Sequence, residues 1–395
     1  MSRPIRLPDR NGADTSAVTS ARDELTVRYH DQIGRARTEL TTPALILDLD
    51  KAKRNISKMA EKFRELPASL RPHIKVHKSV ELARLEVEAG AIGVACATAW
   101  EAMVMAGGGI TDVLIANQLV QPDTVALVAA LARQHRISIA VDDVRNVEQL
   151  SHAAVEAGSQ FELLIELDVG MGRCGLRTQE ATLPLAERIS QLPGLSLRGM
   201  QGYEGHCMVE PDPETRFEAV RLANNKLVEA ADFLAAHGHP SQVISAGGTG
   251  TYFITGAHPQ ITEVQAGSYT LMDCFHSDLV PGEFEIALTV LGTVVSRQGN
   301  TVVLDVGRKS VSSEFGLPPM VGYPEGRARF YAEEHALFDF PARPPLDLGE
   351  HAEIIAGYGP TTVNLYDVFH VVEDDVVTDI WPVTPRGPGR PQRAF

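Results

Sequence analysis

Eight short β-branched runs, set apart by segments of helical period, constrain this chain more than any other feature. The runs are RPHIK (71–75), IGVAC (92–96), DVLIA (112–116), ISIAV (137–141), ELLIELD (162–168), LRGMQGY (197–203), QVISA (242–246) and TEVQA (262–266). Amphipathic stretches lie between them at 79–90, 98–107, 121–134, 145–158, 178–192 and 213–237. In the last, Phe217, Val220, Leu227, Ala231 and Leu234 keep helix spacing, and Asn224 is the one polar break in the stripe. Alternation of this kind implies a parallel sheet with crossover helices. Eight strands between residues 71 and 266 fit a (β/α)8 barrel. No GxGxxG follows the first strand to favour an open doubly wound sheet.

After the eighth run the texture changes. FEIALTVLGTVVSR (284–297), NTVVLDVGR (300–308), HAEIIAGYG (351–359) and YDVFHVVEDDVVTDIWPV (366–383) alternate apolar and polar residues without long helical gaps. That pattern predicts an antiparallel β domain. The expected fold class is therefore α/β, a TIM-like barrel followed by a C-terminal antiparallel β domain. Its expected parts are a disordered tail at 1–25, a barrel domain at 40–280, a β domain at 281–385 and a second tail at 386–395. PALILDLD (43–50) is a further strand ahead of the barrel, followed by a helix at 51–65, and it is free to pair with the C-terminal domain.

Within this frame one stretch is anomalous. RPHIKVHKS (71–79) sets two histidines and two lysines among apolar residues. On a strand, His73, Lys75 and His77 share one face while Ile74 and Val76 take the other. Lys75 would then project into the barrel, either against a buried carboxylate or as an amine that forms a carbon–nitrogen double bond with an aldehyde. Lys78, on the opposite face, is expected in solvent. SAGGTGTYF (245–253) follows the seventh run and QAGSY (265–269) follows the eighth. Barrels often bind phosphate after these two strands, through backbone amides that glycine allows to converge. An interior lysine opposite two such turns points to pyridoxal 5′-phosphate, which needs one amine and one phosphate nest.

Charge narrows the partners. With 36 Lys+Arg against 51 Asp+Glu the net charge is −15, which argues against nucleic acid or an anionic membrane and for a small-molecule substrate. The four cysteines, Cys96, Cys174, Cys207 and Cys274, form no CxxC pair, so neither a disulfide framework nor a structural zinc is expected. No secretory signal and no run approaching the ~20 apolar residues of a membrane span is present, and the expected location is the cytoplasm.

TPALILDLD, RPHIKVHKS, ELDVGMGRCG, GMQGYEGH, SAGGTGTYF, QAGSYTLMD and VNLYD, in that order, together resemble the D-threonine aldolase and D-serine dehydratase family. These are fold-type III pyridoxal-phosphate enzymes with an alanine-racemase-like barrel. The resemblance implies a homodimer with active sites near the subunit interface. It implies Lys75 as the Schiff-base lysine, Arg173 at the cofactor's phenolic oxygen and Tyr203 near the pyridine nitrogen. Gly248, Thr249 and Gly250, with Gly267 and Ser268, would hold the phosphate. His276 falls where relatives carry a tyrosine near the cofactor.

The chain also departs from the family. Relatives hold a divalent metal beside the cofactor through a histidine and an Asp or Cys. Here that segment reads YGPTTVNLYD, so Tyr358 and Pro360 stand at the ligand positions, and neither suits a hard divalent cation. Glu204 replaces a histidine and Ala97 a glutamine. A metal would acidify the β-hydroxyl or help it leave; without one, Glu204 or nearby His206 is the expected acid/base. The leading expectation is a lyase that cleaves a D-3-hydroxy-amino acid to glycine and an aldehyde. The alternatives are a racemase or epimerase, with Lys75 and either Glu204 or a tyrosine as opposed bases, a metal-free eliminase, and a non-catalytic cofactor carrier.

Overall fold

A computed structural model describes residues 16–387. Most of the two expected tails lies outside these residues, but Ser16–Tyr29 is a helix. Tyr29 and Leu25, with Ile33 beyond, pack on Ala44, Ile46, Val377 and Ile380, which gives this segment a reason to order.

Sixteen strands fall into two sheets. The first holds β2 (Ser69–Leu70), β3 (Val94–Cys96), β4 (Asp112–Ile115), β5 (Arg136–Val141), β6 (Phe161–Glu166), β7 (Leu195–Gln201), β8 (Val243–Ala246) and β9 (Glu263–Val264). All neighbours are parallel, in the order β2-β9-β8-β7-β6-β5-β4-β3. A parallel bridge from His73 to Ala95 joins the two ends of the row, with the Ala95 amide on the Pro72 carbonyl at 2.8 Å. The result is a barrel. Leu114, Leu164 and Val243 cluster apart from the main core, while their chain neighbours Val113, Ile115, Leu163 and Ile165 join the helices' apolar faces. This is the two-residue alternation of a strand read in space.

The second sheet contains β10 (Leu288–Gln298), β11 (Thr301–Leu304), β12 (Arg327–Tyr331), β13 (Ala336–Asp339), β14 (His351–Ile355), β15 (Val368–Glu373) and β16 (Val376–Pro382), together with β1 (Ala44–Asp48). β1 runs antiparallel to β10 and parallel to β15. The leading strand thus lies inside the C-terminal sheet, between β10 and β15, and the helix Leu49–Glu65, capped by Asp48, carries the chain from it to the barrel. Among the described residues no helix is long and apolar enough to cross a membrane.

One expected strand is different. After β2 the chain follows β3 only as far as His73, and Ile74–Val76 is a 3₁₀ turn. The Ile74 carbonyl accepts from the amides of His77 (3.1 Å) and Lys78 (2.7 Å), which ends the extended run. Lys75 therefore reaches the barrel mouth from a turn, not by strand alternation. Lys78 is not in solvent. It has φ 53° and is buried, with its Nζ 2.8 Å from Glu101 Oε1 and 3.1 Å from the Pro385 carbonyl. That ion pair fixes the turn to the helix Ala99–Gly107.

Candidate active site

A cavity of about 190 Å³ opens at the C-terminal ends of the barrel strands. Lys75, Arg173, Tyr203, Gly248, Thr249, Gly267, Ser268 and His276 all line it, with His73, Asn117, Gln201, Gln265, Met208 and Tyr358. Lys75 Nζ lies 5.7 Å from the centre of the Tyr203 ring, and the Arg173 guanidinium carbon lies 5.6 Å from the same ring. Burial lowers the Lys75 pKa, and the nearby Arg173 charge lowers it further. His73, buried beside Lys75, is driven well below an ordinary histidine and stays neutral. Burial raises the Tyr203 phenol, which is therefore a neutral group at physiological pH. Arg173 also stands 3.8 Å from Glu166, a carboxyl that burial pushes upward.

Two glycine turns face this lysine. Gly247 has φ 83°, in the left-handed region that favours glycine. A Cβ on Gly248 would come within 2.7 Å of Met208 Cε, and one on Gly267 would strike the His73 carbonyl. The Tyr269 amide donates to Thr249 Oγ1 at 3.1 Å, so the two turns are tied together. Among the described residues the amides of Thr249 and Gly267 and the Ser268 hydroxyl have no protein partner. Open donors in a cradle that a side chain would fill are what a phosphate requires. The site thus fits pyridoxal 5′-phosphate on its own geometry. Gly250 is not on the cavity wall; a Cβ there would meet Leu279 Cδ1 at 2.8 Å, so it serves the turn's packing.

Neither expected acid/base group reaches the cavity. Glu204 is fully buried. Its carboxylate accepts from the Gly247 amide (3.1 Å), Thr251 Oγ1 (2.7 Å) and Thr255 Oγ1 (2.8 Å). Asn224, the polar break in the helix stripe, donates to Thr255 Oγ1 at 3.1 Å and completes the network. Fully buried, off the cavity wall and held by three donors, Glu204 braces the first glycine turn. His206 is exposed on a 3₁₀ turn, with Nε2 3.5 Å from Cys207 Sγ and its ring beneath Gly170. Chain proximity to Tyr203 did not place either side chain on the tyrosine's side.

His276 does reach the cavity, with a partner that sequence reasoning missed. Its Nδ1 lies 2.8 Å from Asp273 Oδ1, and its own amide donates to the same oxygen at 2.8 Å. The Gly359 amide donates to Oδ2 at 2.7 Å. The available signal was an Asp three residues before a His, at the start of the helix Cys274–Leu279. Tyr358 stacks on the His276 ring at 5.9 Å and 14°. Burial, with Asp273 and Glu314 nearby, pushes its phenol up to about 12. Pro360 opens the short helix Gly359–Val363. A neutral phenol, a proline and a carboxylate already accepting three N–H groups do not fit a divalent cation at this place.

The comparisons agree with this fold. Residues 47–274 match the family model described as alanine racemase, N-terminal domain, and residues 287–372 match the putative serine dehydratase domain. A D-threonine aldolase of Arthrobacter sp is 36% identical over 90% of this chain and 95% of its own length. A 3-hydroxy-D-aspartate aldolase of Paracoccus denitrificans is 33% identical over the same shares. The crystal structure of D-threonine aldolase from Filomicrobium marinum superposes with a TM-score of 0.86 at 33% identity, covering 90% of this chain and 98% of that one. A barrel with alanine-racemase topology, a lysine opposite two glycine turns and full-length similarity to these aldolases place the chain in the alanine racemase N-terminal domain family, in its branch that carries a serine dehydratase domain.

Proposed function

We infer that this protein is a pyridoxal-phosphate-dependent lyase of D-3-hydroxy-amino acids, cleaving the Cα–Cβ bond to release glycine and an aldehyde. One observation carries the reading: Lys75 and the open donors of two glycine turns face one another across a single cavity. The two aldolase relatives support the reaction class and the D-configured substrate. When bound, the cofactor supplies an electron sink for a bond at Cα.

The chain's own residues supply the rest. Lys75, with its charge disfavoured by burial and by Arg173, offers a neutral amine to the aldehyde. The Thr249 and Gly267 amides and the Ser268 hydroxyl would hold the phosphate, in a turn braced through Gly247 by Glu204. Arg173 reaches over the Tyr203 ring toward the cavity. Tyr203, neutral and on the cavity wall, would offer the cofactor ring a phenol and no carboxylate. His73, also neutral, closes the wall beside Lys75.

A D-threo-3-hydroxyaspartate dehydratase of Delftia sp. (strain HT23), 31% identical over 70% of this chain and 74% of its own length, makes elimination the second reading. Product analysis separates the two. The protein loaded with pyridoxal phosphate is expected to convert a D-3-hydroxy-amino acid to glycine and an aldehyde. Keto acid with ammonia would establish the eliminase, and inversion at Cα with solvent deuterium the racemase. No cofactor absorption band after reconstitution would sink all three.

A further inference from the structure

The lyase reading leaves one task without an owner. The β-hydroxyl must lose a proton before the Cα–Cβ bond breaks, and the donor set beside the cavity does not fit a divalent cation that could assist it. Glu204 and His206 are turned elsewhere. Resting on that reading, we propose that the His276–Asp273 pair performs this step, with His276 Nε2 as the base that takes the β-hydroxyl proton.

The geometry assigns the roles. Asp273 and His276 side chains are 1% and 7% exposed. A carboxylate only accepts, so the 2.8 Å contact puts the ring hydrogen on Nδ1 and leaves the Nε2 lone pair open. Among the described residues Nε2 has no protein partner, and the ring forms part of the cavity wall. Asp273 is itself immobilised by the Gly359 and His276 amides, so the imidazole orientation is set from both domains. The Tyr358 ring lies nearly parallel to the imidazole, with centroids 5.9 Å apart.

The step balances without a co-reactant. Nε2 takes the hydroxyl proton, and the O–H pair becomes the second carbon–oxygen bond of the aldehyde. The Cα–Cβ pair is left on Cα, which then gains a proton, and glycine departs. His276 loses its extra proton to solvent. Asp273 is a positioning residue: it fixes the tautomer and steadies the cation that forms.

The test uses the full chain loaded with pyridoxal phosphate. D-threonine, D-serine and 3-hydroxy-D-aspartate are screened, and the fastest is taken forward. His276→Ala and His276→Gln are expected to keep the cofactor absorption band, and to lose aldehyde release by roughly 10²–10⁴-fold. Exchange of the glycine Cα hydrogen in deuterated water involves no hydroxyl and should stay within a few-fold of wild type. Free imidazole should restore part of the His276→Ala activity and none of the His276→Gln activity. Asp273→Asn should lower kcat with KM and cofactor affinity unchanged. Wild-type cleavage should be indifferent to a chelator.

The outcomes separate the two ideas. A wild type that releases aldehyde while His276→Gln does so equally fast overturns the base assignment and leaves the lyase standing. Parallel loss of cleavage and of glycine exchange overturns it too, because His276 would then only hold the site together. Cleavage abolished by chelator and restored by manganese assigns the step to a metal instead. A wild type that takes up no pyridoxal phosphate removes the lyase reading itself.

Discussion

The two ends of the barrel handle buried charge in opposite ways. Near the strand starts, Arg71 is fully buried between Glu263 (2.9 Å) and Asp112 (2.7 Å). Arg198 reaches Ser138 Oγ at 2.6 Å and Glu162 at 3.2 Å, and Arg136 reaches Glu162 at 2.9 Å. Three guanidiniums meet three carboxylates, so the layer is neutral. At the strand ends, Lys75 and Arg173 line a cavity, and the carboxyl beside Arg173, Glu166 at 3.8 Å, is pushed toward its neutral form. A filled ion network holds a barrel together; an unfilled one waits for an anion.

That contrast is broken most severely at Lys75. Lys75→Ala is expected to remove the cofactor absorption band and to cut cleavage by at least roughly 10²–10⁴-fold, with thermal unfolding little changed. Absorbance titration with pyridoxal phosphate and calorimetry check the two halves. If the band persists in the variant, the amine lies elsewhere. The mirror experiment is Arg71→Leu, which strands Glu263 and Asp112 without their cation. Breaking a buried pair from one side costs about 3–5 kcal/mol, so denaturant unfolding should shift by that amount. Cofactor affinity of the folded variant should stay near wild type, since Arg71 is absent from the cavity wall. A variant equally stable but weak in cofactor would mean the two ends are not separate.

The barrel was legible because strands and helices impose periods of two and 3.6 on apolar residues, and both periods are visible here from IGVAC to TEVQA. The approach of Lys75 was not. RPHIK carries strand chemistry, yet the chain turns after His73 because the Ile74 carbonyl takes two amides at once, and nothing in residue type announces that. Lys78 shows the same limit: its partner, Glu101, is 23 residues away and on another helix. Adjacency misled at Glu204, which follows Tyr203 in the chain but points to the opposite side, toward Thr251 and Thr255. The Asp273–His276 pair needed only a local spacing, but D-x-x-H is also an ordinary helix start, and only its position on the cavity wall distinguishes the two.

Glu204 gives a smaller effect that sharpens the same comparison, since it is a carboxylate with three protein donors at the end of the barrel where other donors stand open. Glu204→Gln keeps the shape and loses an acceptor for the Gly247 amide or a threonine hydroxyl. An unmet buried donor costs about 1–3 kcal/mol, and part of that should appear as weaker cofactor binding, by about tenfold. Cleavage by the saturated enzyme should change little. A large loss of kcat at saturating cofactor would return Glu204 to the chemistry.

The smallest effect concerns the Lys75 amine before any cofactor is bound. Its pKa is lowered first by burial and then by Arg173. Attack on an aldehyde needs the neutral amine, so the rate of cofactor attachment to the apoprotein should rise with pH and level off earlier than for an exposed lysine. Arg173→Gln removes the like charge and should move that profile to higher pH. Burial, the larger cause, persists, so the midpoint should stay below that of a solvent-exposed lysine. The unfolded chain binds a proton that the folded amine gives up. Apoprotein stability should therefore increase as pH climbs from the folded amine's pKa toward the ordinary lysine value, and level off above it. Arg173→Gln should narrow that window from its lower edge. Stopped-flow absorbance across pH measures the first effect and denaturant unfolding of the apoprotein the second. A profile that stays put in Arg173→Gln would mean that burial alone prepares the amine, and that the guanidinium serves only the bound cofactor.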